Sequence, residues 1–166
     1  LRVSTGGHGL TLAISIIPTL LVSRTGALVK GRQFKSDRVI GNPVQQARVY
    51  TSVRDVDELV VLDVHATIDG RGPNLDLIRQ ISETAFVPVA YGGGIRNVDD
   101  AGACIAAGAE KVVLGHIAWG HPCVIRDVAD RFGSNAAVVS VEFVSRSRAA
   151  SQAAVLAVRH GAGEIL

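Results

Sequence analysis

Residues 59–64 read LVVLDV, and residues 86–94 read FVPVAYGGG; these two stretches decide the fold. Each is a short apolar run rich in β-branched residues and closed by a polar or glycine stop. Such a run is what a strand buried on both faces of a parallel sheet requires. Between them, residues 73–84 carry Leu75, Ile78 and Ile81 at helical spacing. Strand, helix, strand within one short span is a βαβ unit, and a parallel pair needs such a crossover.

Working outward, the same alternation continues in both directions. Residues 14–22 form an Ile- and Leu-rich run of strand type, and Pro43 suits the first turn of a helix running through Ala47, Tyr50 and Val53. Asn97 caps a helix with Asp99 and Asp100 in its first turn, ending near Gly108. Residues 111–115 are strand, 122–132 helix closed by Gly133, 136–142 a fifth strand and 149–160 an Ala-rich helix. Residues 164–166 begin a sixth strand, and residues 1–13, with Gly6, Gly7 and Gly9, are an irregular N-terminal extension.

Repeats at a period near 22 to 28 residues leave two architectures, a doubly wound sheet and a (β/α)8 barrel. No strand is followed by GxGxxG and the units are even, so the expectation is α/β of TIM-barrel type, with residues 14–166 a partial barrel. A whole barrel takes ~250 residues, with ~200 as a floor. The 166 residues supply about five βα units and the start of strand six, so the barrel is expected to be incomplete. There is no methionine, even at position 1, which adds to the expectation of a fragment. An open barrel exposes strand edges, and dimerisation or poor solubility is expected to follow.

Composition excludes several classes. With 48% hydrophobic and 19% charged residues the chain can build a core. A net charge of +2 with scattered cations gives no footprint for nucleic acid, and 4% aromatics give no base-stacking platform. The apolar run of residues 10–22 is too short to span a bilayer and contains Pro18. It also lacks a signal-peptide cleavage site, so a cytoplasmic protein with no membrane partner is expected. Cys104 and Cys123 have no ligand spacing and read as reduced thiols. His8, His121 and His160 belong to no cluster, so no metal site is expected.

In either architecture ligands bind at the carboxyl ends of the strands. Those ends are Leu21, Asp63 with His65, Gly92 to Gly94, Gly115 with His116, and Glu142. Three successive glycines before the helix start at Asn97 make an anion nest, unless they are simple turn glycines. The pair Gly115 and His116 can close on the same phosphate. Asp63 ends an otherwise apolar strand and is held there either by function or by a structural hydrogen bond. Glu142 is in the same situation and reads as an acid or base. His65 and His116 are acid–base or phosphate partners, or hydrogen-bonded loop residues. Lys30, Arg32, Lys35 and Arg38 read as a long, basic first loop, either solvated or folded over an anionic substrate.

The motifs IIPTLLV, GALVKG, DELVVLDV, VAYGGGI, AAGAEKV and RHGAGEIL follow one another in the order and spacing of a known family. From about Ile14 to Leu166 the chain resembles the cyclase subunit of imidazole glycerol phosphate synthase, over about two-thirds of that family's barrel. The resemblance implies a lyase of histidine biosynthesis without a cofactor, fed ammonia through the barrel core by a glutamine amidotransferase partner. Its phosphorylated substrate is a phosphoribulosyl-formimino aminoimidazole carboxamide ribotide. The products are imidazole glycerol phosphate and an aminoimidazole ribotide.

In the family, two aspartates at the ends of strands one and five act as general acid and base. Their positions hold Leu21 and Glu142 here. Leucine cannot carry a proton, and glutamate can with one methylene more reach. Lys30, Gly93, Gly94, Gly115 and His116 correspond to the first phosphate site, with histidine where a small hydroxyl residue is usual. Glu58, Lys111 and Glu164 match three members of a charged ring that closes the ammonia entrance; Ser15 stands where an arginine is usual.

A divergent cyclase-like branch of surface-polysaccharide pathways also resembles the sequence, through its leucine-rich first strand and through Phe34, Lys35, Arg38, Gly41 and Pro43. That resemblance implies an ammonia-supplying subunit for amidination of a sugar. A non-catalytic, truncated phosphate-binding barrel is the third reading.

Overall fold

The computed structural model describes residues 2–3, 12–13, 15–31, 37–53, 55–141 and 148–166. A short antiparallel pair, β1 (Arg2–Val3) with β2 (Leu12–Ala13), stands by itself at the N-terminal end. The body is one eight-stranded sheet. In chain order its strands are β3 (Thr19–Val22), β4 (Leu28–Gly31), β5 (Asp37–Gly41), β6 (Leu59–Asp63), β7 (Val89–Gly92), β8 (Lys111–Leu114), β9 (Ala137–Val139) and β10 (Glu164–Ile165). They lie side by side as β10-β9-β8-β7-β6-β3-β4-β5. Six of them, from β3 through β6, β7, β8 and β9 to β10, are parallel neighbours.

Helices connect these six: α1 (Pro43–Thr51), α2 (Leu75–Ser82), α3 (Val98–Ala106), α4 (His116–Gly120) with α5 (Cys123–Phe132), and α6 (Arg148–Arg159). Five βα units and a sixth strand make an α/β fold of (β/α)8-barrel type, in the order read from the sequence.

Local chemistry explains the elements. Asn42 accepts from the Val44 and Gln45 N–H groups at the start of α1, with Pro43 just inside. Asn74 accepts from the Leu77 N–H to start α2, whose buried face is Leu77, Ile78 and Ile81. Val124, Ile125 and Val128 form the matching stripe of α5.

Alternate strand residues then sort into two apolar layers. Leu59, Val61, Val89, Tyr91, Val112, Leu114, Ala137 and Val139 pack against the helices. Val60, Ala90, Val113 and Val138, with Leu62, make the second layer on the opposite, inner face. Double burial is why these strands read as continuous apolar runs.

Two sequence expectations are corrected. The long basic first loop is in large part an antiparallel hairpin, because β4 pairs with both β3 and β5, with Lys30 opposite Arg38. Glycines and charges at its ends hid two strands whose apolar cores, Leu28-Val29 and Val39-Ile40, are only two residues long. The first strand also begins later than read, at Thr19, beyond Pro18. Proline has no N–H for a ladder bond, and its carbonyl instead accepts from Val60.

Candidate functional site

The strand ends of the parallel array form a cleft of ≈ 790 Å³. Leu62 and Asp63 of β6, Gly92 at the end of β7 with Gly93 and Gly94 after it, Gly115 and His116 after β8, and Ser140 after β9 line it, closed by Val141 and Leu166. Thr67 and Ile68 reach over from the β6–α2 connection. This is the end at which ligands bind in parallel α/β folds.

The glycines owe their identity first to packing. A Cβ on Gly92 would stand 2.9 Å from both Leu62 and Val113, and Gly94, at φ 73°, would place one 2.7 Å from the Arg71 carbonyl. Gly93, at φ 118°, turns its Cα against the Asp63 backbone. A side chain at any of the three would displace backbone or core. The triplet alone therefore does not signal a ligand; what it does is leave the cleft wall as bare backbone. The Gly94 N–H points at the Thr67 hydroxyl, 3.3 Å away.

The start of α3 lends no help to such a nest, contrary to the sequence reading. Asn97 Oδ1 already accepts from Asp99 and Asp100, whose carboxylates occupy the helix start. The positive end of the helix is used internally.

Asp63 has the hydrogen bonds that its structural reading requires. It is 4% exposed and fully engaged. Oδ1 accepts from the His65 and Ala66 N–H groups at 3.1 and 3.0 Å, and the Arg71 guanidinium grips both oxygens at 3.2 Å. That hydrogen bond holds the Arg71 guanidinium further into its charged form. Arg24, in the β3–β4 turn, adds a second clamp on the same connection through Asp69, with bonds of 2.7–2.9 Å. The Arg24 hydrogen bond is the main reason the Asp69 carboxyl lies below the ordinary range. His65 is not among the residues lining the cleft.

Leu21 sits half-buried in β3 beside Leu62, an apolar pair on the inner face. Glu142, the other acid–base position, lies outside the described residues. Lys30 is exposed on β4 and does not line the cleft.

At the opposite end of the same inner face a charged cluster stands at the strand starts. Lys111 Nζ donates to Glu58 Oε2 at 2.6 Å and to Glu164 Oε1 at 2.7 Å. The three side chains are 15%, 11% and 40% exposed. Burial works against the Lys111 charge, but its hydrogen bonds to Glu164 and Glu58 outweigh it and raise the ammonium above the ordinary lysine range. From Lys111 to Gly115 is roughly 13 Å of strand. The apolar layer of Val60, Ala90, Val113 and Val138 separates the two ends.

Reading residue types missed Thr67, Ser140, Arg71 and the Arg24–Asp69 pair. The only local sign was polarity in a connection after a strand end, which most loops share. Among the described residues no group of His, Cys, Asp and Glu could hold a metal ion. No helix among them is long and apolar enough to cross a membrane.

A family model described as "Histidine biosynthesis protein" matches residues 15–162. The chain belongs to that family. Among curated proteins, it is 38% identical over 152 residues to the imidazole glycerol phosphate synthase subunit HisF of Salinispora tropica, covering 92% of this chain and 59% of the relative. The subunit of the same name from Streptococcus mutans is 42% identical over 127 residues, 76% of this chain and 50% of the relative. That of Cutibacterium acnes is 41% identical over 131 residues, 79% and 51%. The chain thus spans about half the length of the curated relatives it matches. As a member of that family it carries both the strand-end cleft and the charged cluster on one inner face.

Proposed function

We propose that the chain contributes the first phosphate-binding half of a cyclase site of imidazole glycerol phosphate synthase type. In this reading Gly93, Gly94, Gly115 and His116 hold one phosphate of the formimino ribotide. Glu58, Lys111 and Glu164 guard the entry of ammonia released by a glutamine amidotransferase partner docked at the strand starts. Ammonia then moves along the apolar layer of Val60, Ala90, Val113 and Val138, which offers it no competing hydrogen bonds. Ring closure needs protons moved at the cleft. Leu21 has none to give, and Asp63 is held by Arg71, so Glu142 is the residue assigned that work.

The single observation that carries the reading is the pairing of the two ends. A glycine-walled cleft and a three-charge cluster occupy opposite mouths of one inner face in a chain that matches the subunit HisF over most of its length. A turn-only role for the glycines accounts for the cleft wall but not for the buried charges beneath it.

Calorimetric titration tests this. The phosphorylated ribotide is expected to bind one to one, and the matching unphosphorylated riboside at least tenfold more weakly. Equal affinity for the two, or binding of neither, would overturn the proposal.

A further inference from the structure

At the cleft the inner face ends in a layer made by Leu21, Leu62, Gly92, Gly115 and Ser140, one from the end of each of five neighbouring parallel strands. Two of these are leucines and two are glycines; Ser140 alone brings a side chain that forms hydrogen bonds. Its direction follows from the strand before it. In β9, Ala137 and Val139 pack against the helices and Val138 lies in the inner layer, so the next alternate residue, Ser140, also faces inward. The Ser140 N–H donates to the Leu114 carbonyl at 3.0 Å, which carries strand geometry one residue past β9.

The hydroxyl itself is placed by its neighbour. A Cβ on Gly115 would stand 3.2 Å from Ser140 Oγ, so the hydroxyl lies over the Gly115 Cα in the cleft wall. Ser140 is half-buried, and among the described residues no group bonds its hydroxyl. Thr67, the other hydroxyl lining the cleft, already accepts from the Gly94 N–H.

We infer that Ser140 is a specificity-determining residue: its hydroxyl bonds a hydroxyl on the carbon chain of the phosphorylated ligand and so favours a polyol phosphate over a plain alkyl phosphate. This rests on the cleft being the phosphate site proposed above. A phosphate seated between β7 and β8 is centred roughly 7 Å from the β9 backbone, one and a half strand spacings. The Ser140 hydroxyl leans back over Gly115 and covers part of that gap. It thereby meets the carbons that follow the ester oxygen, while the phosphate stays on backbone N–H groups. An ester that lacks the matching hydroxyl would cover Ser140 and strip its water without replacing the bond, which is how a polar group in an apolar wall rejects a deoxy analogue.

The probes are glycerol 3-phosphate and propyl phosphate, which share the phosphate and the three-carbon chain and differ in the hydroxyls. Each is titrated calorimetrically into the full chain and into Ser140→Ala. The native chain is expected to bind glycerol phosphate roughly fivefold more tightly than propyl phosphate, the scale of one neutral hydrogen bond. In Ser140→Ala that preference should vanish while propyl phosphate binds as before, and the unchanged propyl phosphate affinity shows that the cleft is intact. A preference that survives in Ser140→Ala, no preference in the native chain, or an equal loss of both ligands in the variant overturns the inference and leaves the phosphate site standing. Failure of the native chain to bind either probe overturns both.

Discussion

Replacing Lys111 with methionine keeps the stem and removes the ammonium, leaving Glu58 and Glu164 facing one another. The two carboxylates are not equal. Glu58, 8% exposed, is a buried charge stripped of its partner, a loss worth roughly 3 kcal/mol at the low end of such measurements. Glu164, with its side chain 40% exposed, is screened by water and adds only about 0.5 kcal/mol. The variant is therefore expected to be about 3.5 kcal/mol less stable near pH 7, a fall of about 7–14 °C in Tm for a domain of this size.

The sign of the pH dependence follows from the raised Lys111 titration. A cation held above its unfolded value contributes stability that is fully present below about pH 10.5 and lost as pH rises through the folded value. Native protein should lose this increment on the alkaline side, and Lys111→Met should not. Urea unfolding at several pH values measures both. Adding Glu58→Gln to Lys111→Met should recover most of the loss, since removing both members of a buried pair costs far less than removing one. If the double variant is no more stable than the single one, the ammonium was not compensating Glu58 and the electrostatic reasoning fails.

Three further outcomes are expected. Arg71→Met should lower stability by about 2 kcal/mol, because two backbone N–H groups still serve Asp63 and the guanidinium was partly solvated; a change under about 0.5 kcal/mol in urea unfolding would mean the clamp is idle. Gly94→Ala should be destabilised by more than 2 kcal/mol, since strain at φ 73° adds to contact with Arg71 and Gly72; an unchanged Tm would refute the packing account of the triplet. The Cys104 thiol, which burial pushes up to about 12, should resist a thiol reagent at pH 8 while exposed Cys123 reacts, giving one fast equivalent in native protein and two in denaturant.

The parallel strands were legible because double burial writes continuous apolar runs, and residues 59–64 and 86–91 differ from the observed strands only at their ends. The helix start at Asn97 was legible from its cap and that of α2 from the spacing of Leu75, Ile78 and Ile81, while the Asn74 cap was not read. The β4–β5 hairpin was hidden, since the buried run of β4 is only Leu28-Val29 and β5 is an exposed edge strand paired through backbone, so Lys30 and Arg38 read as loop. Arg71 was invisible for a different reason. Its partner lies eight residues back across an irregular turn, and no period links them. Glu58, Lys111 and Glu164 have no common spacing either, so only the family resemblance brought them together before the structure did.

The central claim is that a phosphate seats on the bare backbone between β7 and β8, and amide chemical shifts of the isotope-labelled chain test it most directly. On titration with the formimino ribotide, the account expects saturable shifts concentrated at Gly93, Gly94, Gly115 and His116, with Glu58 and Lys111 unmoved. Shifts absent from those four amides, or centred on the β4–β5 hairpin around Lys30 and Arg38, would contradict it.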